Sequence, residues 1–518
     1  MSDRLLRIAQ RLIVGREERL ARRWQVKLSD MSARERRAFL RALTVTPQAG
    51  QVVIGVCRDL RGNWSFVGME TKRLVGLHAA IAGGTNSGKS SWLFGVLAQV
   101  IMQDRCCVIV YDAKGETADM ILDVMVPYLL ELGVGENLLS RLRVVRVFDR
   151  RYVPLLNLTR AEHGGVPKEA QAYGVASAIE QALAEPLGGR MHHVLVRCVS
   201  LCIELGWPLT RVQEWLATPA AFHRDAARST DAALHEYART GFRQENKESL
   251  RALGSRLNAL LFWPDARLAL CAPGAISFSD ALAQPGLTVI HTGSPPAGAE
   301  RLARFFGAAL LGQVVRALLS REVGAETAPA LFVTEEIQEN LGVEEARQLG
   351  RILATARFKS AAVWIVTQSR SLLHSVDPGL VAAMRTNVDL HVQFRTSPED
   401  AAAFAHLLPK EREGEAARRE LIDSLTRLPQ RHCYLAVRDL GLKAQPVLAP
   451  RIDFESLRAC GGRITPELSR RIHQGIAALP RDEALRLMAS LDKDNAVANP
   501  GDSLPVAPPT EDQFPVLG

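Results

Sequence analysis

Residues 81–92 read IAGGTNSGKSSW and contain the pattern G-x-x-x-x-G-K-S. The apolar run Leu77 to Ala82 before it predicts a short buried strand, and Leu93 to Met102 after it predicts a helix. A phosphate-binding loop requires this context, because its glycines let backbone N–H groups face a phosphate at the positive end of a helix. A structural glycine turn is the alternative interpretation. We favour a nucleotide site.

The residues of this loop have distinct expected roles. Lys89 would reach the β- and γ-phosphates, and the Ser90 hydroxyl would bind Mg²⁺. The predicted nucleotide-binding set consists of Gly83, Gly84, Thr85, Asn86, Ser87, Gly88, Lys89, Ser90 and Ser91.

The composition is that of a globular protein. The chain has 518 residues, 47% hydrophobic and 23% charged, which suggests two to four domains. It has no run of about 18 apolar residues, and its N-terminus lacks the apolar segment of a signal peptide. We therefore expect a cytoplasmic protein without a transmembrane helix. Its eight cysteines form no C-x-x-C pair, so we expect neither structural zinc nor disulfides.

The formal charge of +8 is concentrated at the N-terminus. Residues 1–41 hold twelve Arg/Lys and five Asp/Glu, a balance of +7. We predict a basic helical arm over residues 1–50. Such an arm could bind nucleic acid, an acidic partner or an anionic membrane, or it could be only a solvated helix face.

Apolar strand patterns alternate with helical patterns through most of the chain. After the loop, strands are predicted at 106–111, 142–148, 286–292, 328–334, 362–367, 389–394 and 432–437. This alternation predicts an α/β fold with a mostly parallel sheet. Before the loop, residues 52–67 alternate in polarity around Arg61-Gly62-Asn63 and predict a hairpin.

Other segments suggest additional domains. Residues 161–274 show only helical patterns, so we expect an all-α domain inserted between two parts of an α/β domain, 51–160 and 275–450. Residues 451–494 should hold two helices, 466–479 and 481–491. The proline-rich residues 495–518 should be disordered.

Four polar residues at predicted strand or helix ends are candidates for catalysis. Glu335 and Glu336 follow an apolar strand, where Glu335 would lie beside Mg²⁺ and Glu336 would polarise water. The alternative is a surface pair at a helix start. Gln368 ends another buried strand and could sense the γ-phosphate. Arg357 could complete a neighbouring subunit's site, or be an ordinary surface arginine.

The order of these motifs resembles a known superfamily. The segments HAAIAGGTNSGKSS, VIVYDAKGE, ALFVTEEIQ, ATARFKSAAVWIVTQS and RTNVDLHVQF are similar to those of the HerA/FtsK DNA-pumping motors, over roughly residues 51–450. The D-x-K-G-E motif, the PLLNL at Pro154 to Leu158 and the helical insertion most resemble conjugative coupling proteins of the TraD/TraG type.

The resemblance implies a RecA-like P-loop motor that uses ATP and Mg²⁺. It assigns Lys89 and Ser90 to nucleotide and metal, and Glu335 and Glu336 to the Walker B pair. Gln368 would be the sensor and Arg357 an arginine that acts in the neighbouring subunit. Asp112 and Lys114 match a strand-end motif of the family. Members form hexameric rings with DNA in the central channel.

Three features depart from the family pattern. Glu335 stands where members usually have aspartate, no N-terminal membrane helices are predicted, and no N-terminal β-barrel of HerA proper is visible. The basic arm occupies the place of the membrane helices. The arm or the C-terminal tail could therefore dock on a membrane-bound partner of a secretion or conjugation system.

The expected function is that of an ATP-driven DNA translocase for conjugation or a mobile element. Two alternatives stay open. One is a coupling ATPase that delivers protein substrates to a secretion channel, and the other is a defence-associated ATPase of the same superfamily.

Overall fold

A computed structural model describes residues 50–449 and 465–489, apart from short gaps. The gaps are 59–63, 132–135, 162–165, 184–185, 272–275, 340, 406–414, 439–441, 477 and 488. The predicted N-terminal arm, the turn at residues 61–63 and the predicted disordered tail lie outside the described residues.

A large mixed β-sheet forms the centre of the fold. Eleven strands follow the order β2-β1-β12-β11-β10-β3-β9-β8-β4-β7-β5. The seven strands from β10 to β5 are parallel, and β11, β12, β1 and β2 extend them antiparallel. The strands are β1 Gln51–Arg58, β2 Trp64–Glu70, β3 Ala79–Ala82, β4 Cys107–Asp112, β5 Arg143–Arg146, β6 Tyr152–Pro154, β7 Gly286–His291, β8 Ala330–Glu335, β9 Ala361–Thr367, β10 Leu390–Gln393, β11 His432–Val437, β12 Leu442–Leu448 and β13 Ala478–Pro480.

Helices cover both faces of this sheet. They are α1 Thr71–Leu74, α2 Lys89–Met102, α3 Glu116–Met120, α4 Val126–Glu131, α5 Glu136–Leu139, α6 Lys168–Ala182, α7 Gly189–Leu205, α8 Thr210–Ala217, α9 Pro219–Ala226, α10 Ala232–Glu236, α11 Lys247–Leu261, α12 Pro264–Cys271, α13 Phe278–Ala283, α14 Glu300–Ser320, α15 Val343–Thr355, α16 Arg370–Val376, α17 Pro378–Asn387, α18 Pro398–Ala405, α19 Glu415–Thr426, α20 Pro466–Gln474 and α21 481–487. Short π-helical turns span Ile121–Met125 and Tyr237–Gly241, and 3₁₀ turns span Phe242–Gln244, Ile337–Glu339 and Ala356–Lys359. The predicted mostly parallel α/β sheet is confirmed.

Most of the hydrophobic core lies in two layers, one on each face of the sheet, and a smaller cluster forms around Phe404. Alternate residues of β3 supply both layers, since Ala80 faces one and Ile81 the other. Helix α2 packs in the layer that contains Ile81. Helices α6, α7 and α14 pack in the opposite layer. This arrangement buries both faces of the parallel strands, as a parallel sheet requires.

Residues 168–271 contain only helical elements in their described part. Their apolar side chains, including Trp215 and Phe222, join the core layer that contains Ala80. Cys198 and Cys202 are buried in α7. The segment therefore adds a helical layer whose core is continuous with one face of the sheet.

Helix α14 is the long apolar helix of the core. Glu300–Ser320 is long and apolar enough to cross a membrane, yet 89% of its most apolar window is buried inside the protein. It packs against α6 and α15. Burial on all sides explains its apolar composition.

The structure differs from the sequence prediction near the C-terminus. The helix predicted over 466–479 ends at Gln474, and Ala478–Pro480 pairs antiparallel with β6. Gly475 has φ +60° and stops the helix, because continuing it requires a negative φ. Strand β12 was not predicted, since Pro446 within it is unfavourable in a sheet interior.

Candidate nucleotide site

The glycine-rich loop connects β3 to α2 at the carboxyl end of the parallel strands. Gly88 adopts φ +102° just before α2, a conformation that side chains disfavour. A Cβ on Gly83 would lie 2.5 Å from Phe394 Cβ, so only glycine fits there. Thr85 and Asn86 are exposed at the tip of the loop. The loop therefore makes a tight turn, and the residues at its tip are accessible to a ligand.

The structure brings the two loop residues with expected catalytic roles onto the acidic pair. Lys89 Nζ lies 3.1 Å from Glu336 Oε1 and 3.7 Å from Glu335 Oε1. Ser90 Oγ donates a hydrogen bond of 2.9 Å to Glu335 Oε1. Lys89, Glu335 and Glu336 are all buried. The loop follows β3 and the acidic pair ends β8, and only β9 lies between these strands. The side chains of the loop and the acidic pair therefore meet beyond the carboxyl end of β9.

The oxygen atoms at this position suit a divalent cation. Glu335 Oε2 is buried and has no hydrogen-bond partner among the described residues. Burial raises the pKa of Glu335, and nearby Lys89 lowers it. A carboxylate oxygen beside a serine hydroxyl is a donor set that Mg²⁺ prefers. Ser90 and Glu335 therefore fit a magnesium ion.

Glu336 is held from several sides. Its backbone takes a left-handed φ of +52°, and its N–H donates to Val366 O at 3.1 Å. Its Oε2 accepts from Gln338 Nε2 at 2.5 Å and lies 3.7 Å from Lys114 Nζ. A non-glycine residue in this conformation at a ligand edge is often functional, because the strain must be offset by specific contacts. The geometry fixes Glu336 beside the loop.

Asp112 binds backbone N–H groups of the next turn, unlike the acidic pair, which contacts the loop. Its carboxylate accepts hydrogen bonds from the backbone N–H groups of Lys114, Gly115 and Ala118 at 2.8–2.9 Å. Burial raises its pKa, and these N–H groups oppose that rise. Asp112 therefore organises the turn before α3, which places Lys114 near Glu336.

Gln368 follows β9, the strand next to β3. The preceding residue, Thr367, accepts a hydrogen bond from Gly83 N–H through its carbonyl oxygen at 3.2 Å. Gln368 is therefore beside the first glycine of the loop, and it is half-buried. Its assignment as the sensor stays a prediction, with a position that suits it.

Arg357 lies away from the loop of its own chain. It sits in the 3₁₀ turn before β9, at the amino edge of the sheet, and forms an ion pair with Asp389. The seven residues of β9 separate the two edges by roughly 20 Å. The side chain is 49% exposed. Within one chain, Arg357 and Lys89 do not meet.

Two arginines near the loop were not predicted from the sequence. Arg395 follows β10, is exposed, and its carbonyl accepts from Gly84 N–H at 2.8 Å. Arg431 N–H donates to Ser87 O at 2.7 Å, and its Cα would lie 2.9 Å from a Cβ on Gly88. Only the strand order reveals this proximity, because β10 pairs with β3 and β11 pairs with β10.

Comparison with known proteins gives structural matches alone. No protein family model matches the chain, and no curated protein matches it. The unbound bacterial conjugative coupling protein TrwBdeltaN70 is 17% identical, with a TM-score of 0.52 over 82% of this chain and 94% of that one. Plasmid coupling protein TrwB in complex with ADP and Mg²⁺ matches with the same values.

A second type of structure also matches. VirB4 of Thermoanaerobacter pseudethanolicus is 14% identical, with a TM-score of 0.50 over 78% of this chain and 98% of that one. These matches extend across the sheet and its helices, well beyond the loop. The chain has the RecA-like motor fold of the conjugative coupling protein TrwB.

Proposed function

We propose that this protein is a Mg²⁺-dependent ATPase. The single observation that carries the proposal is the convergence of Lys89 and Ser90 on Glu336 and Glu335, with distances of 3.1 and 2.9 Å. The coupling protein TrwB, which shares this fold, has been captured with ADP and Mg²⁺. In this proposal the loop would bind the phosphates, Ser90 and Glu335 would bind the cation, and Glu336 would hold the water, all at one edge of the sheet.

Each residue of the proposed site would have a separate role in hydrolysis. Backbone N–H groups of the loop and Lys89 would hold the phosphates, so Lys89 would leave Glu336 when nucleotide binds. Ser90 and Glu335 would hold Mg²⁺, which neutralises charge on the β- and γ-phosphates. Glu336 would then be free to accept a hydrogen bond from the attacking water. Gln368 would orient that water from the adjacent strand.

We infer that the complete site forms between two copies of the chain. Arg357 lies at the opposite edge of the sheet from its own loop and is half exposed, so a neighbouring chain's loop is the site it can reach. An arginine supplied in this way stabilises the charge of the transferring phosphoryl group. In a ring of six such copies, as in the family that the sequence resembles, every nucleotide site would receive an Arg357 from a neighbouring chain.

We propose that the protein uses ATP hydrolysis to move DNA in conjugation or a related transfer system. The support is the shared fold with TrwB, described as a bacterial conjugative coupling protein. DNA binding by such a motor should be sequence-tolerant and strongly salt-dependent, because it engages the phosphate backbone. We place the protein in the cytoplasm, where its basic arm or C-terminal tail would dock on a membrane-bound partner.

The domain division proposed from the sequence remains a proposal with structural support. Along the chain, helices α6 to α12 lie between β5 and β7, which are neighbours in the large sheet, as an insertion would. Their continuous core with the sheet suggests that residues 161–274 move together with the motor.

The proposal is tested by ATP turnover with single- and double-stranded DNA. The wild-type chain should hydrolyse ATP and be stimulated by DNA, and Lys89→Ala should lose at least about a thousandfold, since the loop lysine bears directly on the phosphates. Lys72→Ala, an exposed lysine on α1, is the matched control and should leave turnover unchanged. Mass measurement with and without nucleotide should show assembly into a ring. ATPase activity that no DNA stimulates would argue against a DNA motor.

A further inference from the structure

The two carboxylate oxygens of Glu336 face different groups. Oε1 lies 3.1 Å from Lys89 Nζ. Oε2 accepts a hydrogen bond from Gln338 Nε2 at 2.5 Å and lies 3.7 Å from Lys114 Nζ. Movement of Lys89 toward the phosphates would remove only the contact on Oε1. The contacts on Oε2 would remain, so they can fix the orientation of the carboxylate while nucleotide is bound.

Gln338 lies in a short turn that is held directly after β8. The 3₁₀ turn Ile337–Glu339 closes with a hydrogen bond of 3.1 Å from Glu339 N–H to Glu336 O. The side chain of Ile337 is fully buried and anchors the turn in the core. The backbone of Gln338 is therefore held at a position from which its side chain reaches Glu336.

The orientation of the Gln338 amide follows from its two neighbours. A carboxylate accepts hydrogen bonds and does not donate them, so the amide nitrogen must face Glu336. The amide oxygen then faces Thr367, whose Oγ1 lies 3.5 Å away. Thr367 ends β9 and immediately precedes Gln368. The Gln338 amide therefore lies between Glu336 and the strand that carries Gln368.

Lys114 approaches the same oxygen of Glu336 from the end of β4. Asp112 fixes this turn, because its carboxylate accepts a hydrogen bond of 2.9 Å from Lys114 N–H. The side chain of Lys114 is 38% exposed, and its Nζ also lies 3.9 Å from Glu339 Oε1. Solvent exposure and the second carboxylate weaken the attraction of Lys114 to Glu336. The short hydrogen bond from Gln338 is therefore the stronger of the two contacts on Oε2.

We propose that Gln338 is a positioning residue for ATP hydrolysis, and that Lys114 assists it. By holding Oε2 of Glu336, they leave Oε1 as the atom that accepts a hydrogen bond from the attacking water. Misplacement of a reacting group by about 1 Å can lower a rate about a hundredfold. An amide is not basic and an ammonium can only donate, so neither group can replace Glu336. This inference rests on the proposed ATPase function and adds the group that orients its carboxylate.

The test measures the rate of ATP turnover and the affinity for ATP separately in the full chain. Gln338→Met keeps the length of the side chain but cannot donate a hydrogen bond. Turnover at saturating ATP should fall about tenfold, which corresponds to one hydrogen bond to a charged group. The affinity for ATP with Mg²⁺ should stay unchanged, because Lys89 and Ser90 are retained. Lys114→Met should reduce turnover only about threefold, since this contact is partly exposed.

A double-mutant cycle distinguishes positioning from a general structural role. In the Glu336→Gln chain, the further change Gln338→Met should lower the residual rate about twofold or less, because the carboxylate on which Gln338 acts is absent. Two independent structural losses would multiply instead. Gln284→Met is the matched control, since Gln284 is an exposed glutamine two residues before β7. This control should retain wild-type turnover.

Two results would overturn the proposal. One is wild-type turnover in Gln338→Met, and the other is a loss of about tenfold that persists in the Glu336→Gln chain. With an active wild-type chain, either result would leave the proposed ATPase function standing. A wild-type chain that does not hydrolyse ATP would instead refute the proposed function, and this inference with it.

Discussion

The two edges of the parallel sheet are built differently. At the carboxyl edge, Lys89, Glu335 and Glu336 are buried, and Lys89 forms an ion pair with each of the two carboxylates within a single chain. At the amino edge, Arg357 is half exposed and its turn also presents Phe358, which is 85% exposed. The carboxyl edge holds most of the predicted site, whereas the amino edge exposes Arg357 and Phe358 to solvent.

This difference indicates where the missing part of the site comes from. The loop and the acidic pair already lie together at the carboxyl edge before any ligand binds, so binding requires little movement apart from that of Lys89. Arg357 is half exposed, although its ion-pair partner Asp389 is buried, so the guanidinium is accessible to a second chain. The predictions below test whether the two edges belong to one site shared between subunits.

The largest effect is expected for Arg357→Ala. Turnover of the assembled protein should fall about a thousandfold, since an arginine acting in the neighbouring subunit stabilises the transition state by this much or more. Nucleotide binding should be unchanged, because Arg357 is far from its own loop. Rates and nucleotide affinities, measured separately, check both parts.

A mixing experiment sharpens this prediction. Arg357→Ala and Lys89→Ala chains are each inactive, but a mixed ring places an intact Lys89 opposite an intact Arg357 at some interfaces. Partial recovery of turnover on mixing is therefore expected. Arg351→Ala serves as the control for loss of an exposed arginine. Full activity of Arg357→Ala would show that the amino edge is not part of the site.

The next largest effect concerns Glu336 at the carboxyl edge. Glu336→Gln should reduce turnover by a few hundredfold, because the amide cannot accept a proton from water. ATP should still bind, since Lys89 and the loop are retained. Turnover and affinity for ATP are the measurements. Glu339→Gln removes a nearby exposed carboxylate, 3.9 Å from Lys114, and should have little effect. Equal losses in both variants would contradict the assigned role.

The smallest effect is on stability and involves His78 at the amino edge. His78 Nδ1 accepts from Val363 N–H at 3.0 Å, and burial, followed by the charge of Arg357, lowers its pKa to about 4. The unfolded chain binds this proton near pH 6.5, so stability is lost as pH falls from about 6.5 to 4. The loss should reach about 3 kcal/mol.

Denaturant unfolding across this pH range provides the measurement. In His78→Asn the decline in the free energy of unfolding between pH 6.5 and 4 should be smaller by about the same 3 kcal/mol. The comparison is of slopes with pH, so a cavity left by the smaller side chain does not confuse it. An unchanged slope would mean that His78 is not held neutral by its surroundings.

Much of the fold could be predicted from the chain alone. The strands 286–292, 362–367 and 432–437 were each placed to within one residue, because they are short apolar runs bounded by polar residues. The helix predicted over 466–479 ends at Gln474, because Gly475 has a φ of +60°. The local sequence pattern did not reveal this conformation. Strand β12 was missed because it contains Pro446, and its pairing depends on β11 and β1.

The site was only partly predictable. The loop and the acidic pair are local motifs, the first directly after β3 and the second at the end of β8, and their roles stay predictions. Arg395 and Arg431 carry no motif of their own. They reach the loop only because β10 pairs with β3 and β11 pairs with β10.

The sequence by itself determined the loop, because glycines, a lysine and a serine at fixed spacing give a local turn whose conformation needs no distant partner. The tertiary structure decided what that loop contacts. Lys89 and Glu336 are 247 residues apart in the chain, and strand order alone places them together. It also decided that Arg357 stands at the far edge, since a strand carries its two ends to opposite sides of the sheet.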